Sequence, residues 1–302
     1  MPAGSRVIGV AAKYTKRSLR LWVLFLLRNL PFRIWRHQLF LRSSIRPPVA
    51  RDESAALTRV LVLGVYLADR VNSAAHLVDR FACVDPGVEV EQRWAAIQGP
   101  APSDAVAAVT IWHSDRLAPK FEVINKLLQG ADLSSFDYVV VCDDDIYLPH
   151  GFLPAFLAYQ QSYDLATAQP ARAWHSHFDH AFVLRRPWWK VRETRFVECG
   201  PLVSFRRDAV RLLMPFEHAE QLWGLDLIWP AILEQHGLKM GIIDAVPVDH
   251  SLRPQAATYD KSDKDAAMHR VLATTRHLPM SEAFTVLKGR RKPPAAPSQS
   301  TS

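Results

Sequence analysis

Cysteine is scarce in this chain of 302 residues: Cys83, Cys142 and Cys199 are the only three. Thiols so few and so scattered supply neither a disulfide framework nor a four-ligand zinc site, and they fit a reducing compartment. Acidic residues are absent from residues 1–51, which hold 11 Lys and Arg, and again from residue 288 onward, which holds four more. Between those ends lie 22 basic and all 30 acidic residues, so the net charge of +7 belongs to the termini and the body is acidic. Such a body is not a nucleic-acid binder. Long apolar runs are missing too. The best, residues 19–30, is broken by Arg20 and Arg28 and closed by Pro31, short of the roughly 20 residues of a membrane span. It does not end in a small-residue cleavage site like a secretory signal, since Arg33, Ile34, Trp35 and Arg36 come next. There is no internal repeat and no nicotinamide fingerprint. With 49% hydrophobic and 22% charged residues, neither wholesale disorder nor a fibrous repeat describes the chain.

What is present divides into three parts. Residues 1–51 read as a pair of short basic helices carrying Trp22, Phe25, Phe32, Trp35 and Phe40, a mixture that lies in the interface of an anionic leaflet, with packing on the protein's own surface and insertion as a signal anchor as the alternatives. Residues 56–279 alternate strand-like and helix-like segments. Residues 280–302, ending KGRRKPPAAPSQSTS, read as a basic, disordered tail. In the middle part, residues 59–68 (RVLVLGVYLA) form a strand feeding a helix over 72–82, with Ala75, Leu77, Val78 and Phe81 at helical spacing. Residues 88–94 and 105–113 are further strand candidates around a Gly-Pro-Ala-Pro turn at 99–102. Pro119 opens a helix over 120–129, and a continuous apolar run, 138–142, ends in three aspartates. Residues 195–205 read as a strand, 206–214 and 227–233 as helices, and 239–247 as a last strand. The expected fold is a single α/β domain with a mostly parallel central sheet covered by helices.

A buried strand ending in Asp143-Asp144-Asp145 puts carboxylates where open α/β folds bind ligands. Such a cluster needs a cation, and an Asp-x-Asp pair suits an octahedral Mg²⁺ or Mn²⁺; a solvated acidic turn is the plain alternative. The same pattern serves a nucleotide-sugar transferase or a phosphohydrolase. Tyr147 and the long stretch of strand and helix ahead of the aspartates disfavour the phosphohydrolase. Downstream, Trp223-Gly224-Leu225-Asp226 delivers one carboxylate at the start of an apolar helix, as a general base or an ordinary N-cap. His250, after the last strand, either completes a metal shell or is a buried hydrogen-bonded imidazole. Lys120 reaches a phosphate or solvates its helix start. Asp115 contacts a nucleoside or caps a turn, and Glu198 accepts a bond from a sugar or ends a strand in water. The segment Trp174-His175-Ser176-His177-Phe178-Asp179-His180 reads as a flexible acceptor loop sooner than as a second metal site.

In this order, the helix at 120–128, the aspartates 143–145, the Trp-Gly-Leu-Asp turn and His250 resemble the GT-A fold of nucleotide-diphospho-sugar glycosyltransferases. Residues 120–250 are also similar to an uncharacterised family labelled lysine-ketoglutarate-reductase trans-splicing related, through Phe136-Asp137-Tyr138, Gln169-Pro170-Ala171, Phe196-Val197-Glu198 before Pro201, and the same Trp-Gly-Leu-Asp turn. The GT-A resemblance implies a donor nucleotide held near Asp115, Lys120, Asp143, Asp144 and Glu198. It implies Mn²⁺ or Mg²⁺ on Asp145 and His250, with Asp143 at the ribose or a metal water. Asp226 would deprotonate an acceptor hydroxyl in a single-displacement, inverting transfer. The expected partners are a nucleotide-sugar donor, a glycan or lipid-linked acceptor and an anionic membrane surface; the expected location is cytoplasmic, peripheral on the inner face of the membrane. The rival from another class is a catalytically silent relative that binds a membrane and a partner through the basic segment.

Overall fold

The run that begins at Thr58 forms the strand β1 (Thr58–Leu67), in which Val60, Leu61, Val62 and Leu63 are all fully buried. Burial on both sides is the signature of a central strand sandwiched between two helical layers. In the computed structural model, which describes residues 37, 39–48, 57–82, 87–220, 223–253 and 261–291, this period-2 alternation divides the core. Val60 and Val62 face one layer with α1 (Ala74–Phe81) and α4 (Phe152–Ser162). Leu61 and Leu63 face the other, with α3 (Lys120–Leu127), α5 (Arg207–Leu213) and α6 (Leu225–Gln235).

The remaining strands are β2 (Val88–Ile97), β3 (Thr110–Ser114), β4 (Tyr138–Asp143), β5 (Leu165–Arg172), β6 (Val191–Thr194), β7 (Leu202–Arg206), β8 (Lys239–Val248) and β9 (Val286–Arg290). They make one sheet in the order β3-β2-β1-β4-β7-β5-β8-β6-β9. Only β7 and β6 run against the rest. The sheet is therefore mostly parallel, and the carboxyl ends of β1, β4, β5 and β8 share one edge, where a ligand site is expected in such folds.

Three expectations differ from what is observed. Residues 105–113 are not one strand: α2 (Asp104–Val109) precedes β3, because Ser103 caps the helix by accepting from the Val106 amide at 3.4 Å. Of residues 195–205 only the end is strand. Pro201 has no N–H for a ladder, and the Glu198 amide donates instead to the side chain of Gln169. Nor does the tail begin at 280. Met280–Ala283 (α7) and β9 belong to the body, β9 pairing along β6 and Arg291 lying over the Trp189 ring at 5.7 Å; a basic edge strand is well suited to that solvent-facing position. Residues 292–302 lie outside the described residues, as do Trp22, Phe25, Phe32 and Trp35 of the expected interfacial helices. Phe40 is described and its ring meets that of His175 at 6.2 Å. No helix among the described residues is long and apolar enough to cross a membrane. Cys142 and Cys199 are buried free thiols.

Candidate active site

The three aspartates leave β4 at the carboxyl edge and take three different partners. Asp143 Oδ1 lies 2.6 Å from Lys120 Nζ, which also donates to the Cys199 carbonyl at 3.0 Å. Lys120 is placed by the first turn of α3. Gly200 fits beside this pair because it has no side chain: a Cβ there would stand 2.7 Å from Asp143 Oδ2 and 3.3 Å from Lys120 Nζ. Asp144 is buried; its Oδ2 accepts from the Leu67 amide at 2.7 Å, tying the ends of β1 and β4, and its Oδ1 pairs with Arg253. Asp145 faces His250, with His250 Nε2 3.1 Å from Oδ1. That oxygen is buried and has no well-aligned hydrogen-bond donor. Burial pushes the Asp145 carboxyl up, but His250, Arg253 and Arg172 outweigh it and hold the group down at about 2.

His250 is fixed by the segment at 174–180. Its amide donates to Ser176 Oγ at 2.9 Å, and its carbonyl accepts from the His177 amide at 2.7 Å. His175, Ser176 and His177 are buried, so the middle of this segment packs against His250 and is not a free loop. Behind it Asp249, wholly buried, meets His175 Nε2 at 3.0 Å and His37 Nδ1 at 2.6 Å. Burial alone would raise Asp249, but those two histidines hold it well below the usual carboxylate range. The Asp249 and Tyr147 main chains exchange both hydrogen bonds, at 2.8 and 3.1 Å, which stitches the aspartate loop to the end of β8.

Two further acidic groups are Glu198 and Asp226. Glu198 is buried against Arg172, the last residue of β5, whose guanidinium also donates to the carbonyls of His177 and Gly200 at 2.9 and 3.3 Å. Burial pushes Glu198 up to about 7 despite Arg172, and the negative charges of Asp179 and Asp226 add to the rise. Asp226 sits in the first turn of α6, where the Gly224 amide donates to its Oδ1 at 3.2 Å. Burial raises it to about 6, against the pull of the helix-terminal amides. The N-cap of the helix is Gly224, and Asp226, two residues on, reaches back to that residue's amide.

The expected ligand set of Asp143, Asp145 and His250 is not gathered. Among the described residues, no group of three or more His, Cys, Asp and Glu side chains is arranged to hold a metal ion. The physical reason is that Lys120 already supplies the cation that Asp143 needs, leaving Asp145 and His250 as a two-residue donor pair. Asp115, exposed at the end of edge strand β3, stands three strands from β4 in the sheet. The residues the sequence did not single out are Arg172, His37 and Arg253.

No family model and no curated protein matches the chain. Among solved structures, it is similar over 72% of its length to the crystal structure of GalNAc-T7 with UDP, GalNAc and Mn²⁺, at 11% identity and a TM-score of 0.46. It is also similar to S. aureus TarS 1-349 in complex with UDP-GlcNAc, over 71% of its length and 65% of that chain, at 9% identity and a TM-score of 0.45. The chain spans about half (48%) of the GalNAc-T7 chain. Likenesses this distant concern chain path alone.

Proposed function

We propose that the chain is a metal-dependent glycosyltransferase of GT-A-like architecture, moving a sugar from a nucleotide-diphosphate donor to a glycan or lipid-linked acceptor with inversion. The observation that carries this reading is the Asp145–His250 pair: a carboxylate and an imidazole from two different strands meet at the carboxyl edge, with one buried oxygen lacking an aligned donor. An oxygen and a nitrogen donor of this kind suit Mn²⁺ or Mg²⁺ with room for phosphate oxygens and water, and Asp145 and His250 would hold the ion. When bound, the ion neutralises charge that builds on the leaving diphosphate. Lys120 and Arg253, each anchored on an aspartate, add fixed positive charge for phosphate oxygens. Asp143 and Asp144 hold those two cations in place. Glu198 faces the donor sugar and Asp115 the nucleoside. Asp226 takes the proton from the acceptor hydroxyl, and a carboxyl raised to about 6 is a stronger base than an ordinary aspartate while still ionised at neutral pH. The basic segment holds the enzyme on the cytoplasmic, anionic face of a membrane as a peripheral protein.

One observation favours a second reading. Asp143 and Asp144 are already neutralised by Lys120 and Arg253 and so call for no ion, which fits a catalytically silent binding protein. Release of nucleoside diphosphate from a panel of nucleotide sugars, with Mn²⁺ and with a chelator, separates the two. The transferase reading expects release from at least one donor, only with metal, and lost in Asp226→Asn. Tight donor binding without release selects the silent protein, and release that is indifferent to chelator contradicts the metal-dependent mechanism.

A further inference from the structure

We propose that His37, carried by the basic N-terminal segment, is a positioning residue for the Asp145–His250 pair. The inference rests on the metal-dependent reading above and adds a residue from outside the α/β body to the site.

The side chain of Asp249 is wholly buried. A carboxylate only accepts hydrogen bonds, so Nδ1 of His37, 2.6 Å from Oδ2, carries the proton; Nε2 of His175 stands 3.0 Å from the same oxygen without the alignment of a hydrogen bond. The other oxygen, Oδ1, is buried with no partner, so the two imidazoles and the neighbouring Ser251 are what compensates this charge. Asp249 is adjacent to His250, and its main chain exchanges both hydrogen bonds with Tyr147, two residues past Asp145. Fixing the Asp249 carboxylate therefore fixes the bridge that sets Asp145 across from His250. Groups behind a metal ligand commonly matter in this way.

His37 does not reach Asp249 by a solitary contact. Its ring lies edge-on to Tyr147 at 4.6 Å, and Phe40 meets the ring of His175 at 6.2 Å. Farther along, the His150 amide donates to the Ser43 carbonyl at 3.0 Å, and the Ile45 amide donates to the His150 carbonyl at 2.9 Å. The carbonyl of Ile45 lies 2.4 Å from where a Cβ on Gly151 would stand, and Gly151 has φ of +70°. Only glycine accommodates both that approach and that backbone. The segment is thus seated against the aspartate loop, the His250 cradle and the start of α4 together.

The test titrates Mn²⁺ alone into the full-length chain by calorimetry, for the wild type and for His37→Ala, His37→Asn and His37→Gln. Asparagine places an amide N–H where Nδ1 stood, and glutamine places it nearer Nε2. Loss of a group behind a metal ligand lowers affinity by roughly 10–100-fold, so His37→Ala should weaken Mn²⁺ by that factor and Asn, but not Gln, should restore most of it. The Asn–Gln comparison stands even where the alanine variant does not fold. Wild-type affinity in His37→Ala, or Gln rescuing as well as Asn, overturns the role of His37 and leaves the metal site standing. A wild type that binds no Mn²⁺ overturns both.

Discussion

Replacing Asp226 by Asn should stabilise the protein and disable it, and the size of the gain follows from the site. The Asp226 carboxyl is raised from its ordinary 3.8 to about 6, with burial the first cause. A raised carboxyl means that the folded state resists ionisation. Its contribution to stability is complete below about pH 4, and is lost as pH rises through about 6. The full displacement corresponds to ~3 kcal/mol. Because the side chain keeps partial contact with water, about 1–2 kcal/mol is the expected gain from Asp226→Asn at pH 7.5. The amide retains an oxygen to accept from Gly224, so the helix start is not disturbed. Urea unfolding of both proteins at pH 4.5 and pH 7.5 checks this. The difference should be smaller at pH 4.5, where the unfolded aspartate is already largely ionised and the folded one is not, and reach its full size at pH 7.5, while turnover falls by roughly 10²-fold, the worth of a positioned base. A difference that does not change with pH, or a variant less stable at pH 7.5, refutes the burial argument; full turnover removes Asp226 from the chemistry.

Asp145→Asn should abolish the metal dependence of nucleotide binding while thermal unfolding of the free protein stays cooperative, as followed by calorimetry. Gly200→Ala places a methyl 2.7 Å from Asp143 Oδ2; donor binding should weaken at least tenfold by titration, while unfolding moves by about 1 kcal/mol, as for an ordinary point change. Arg192 and Asp244, both wholly buried and joined at 2.7 and 3.0 Å, brace β6 on β8. Arg192→Met strands the Asp244 charge and should cost about 3–5 kcal/mol in denaturant midpoints, with nucleotide affinity of the folded fraction intact. Removal of residues 1–36 should release the protein from anionic vesicles in flotation assays, since each Lys or Arg near the surface contributes about 1 kcal/mol. Salt should release the full chain as well, whereas a chain extracted only by detergent is inserted.

The parts of the fold that were legible are those where burial is continuous. β1 and β4 announce themselves because Val60 to Leu63 and Val139 to Cys142 are buried on both faces, and that apolar run delivers the aspartates to the sheet edge. Short pieces were less readable. Residues 104–113 are apolar enough for a strand, and only the Ser103 cap settles the helix in their first half. β9 was hidden by its own charge, since Lys288 and Arg290 look like tail and an edge strand tolerates both. At the site, Lys120, Asp145 and His250 stand out as charged or ligating residues at the ends of apolar segments. Arg172 had that signal too, closing a strand buried along its whole length, and Asp249 sat beside His250 after an apolar strand. His37 had none, because its partner lies 212 residues away and nothing local records such a contact. The metal set read as three ligands because like charges in sequence invite a cation; sequence does not show that Lys120 arrives from another helix to take one of them.

The most direct test is thermal and chemical unfolding of the full-length chain with a panel of nucleoside diphosphates, each with and without Mn²⁺, beside the Asp145→Asn variant. A ligand at a hundredfold excess over its dissociation constant adds about 2.7 kcal/mol. The account predicts a gain of that order for at least one diphosphate, only when Mn²⁺ is present and only in the wild-type chain. A gain that persists without metal, or that is the same in Asp145→Asn, contradicts it.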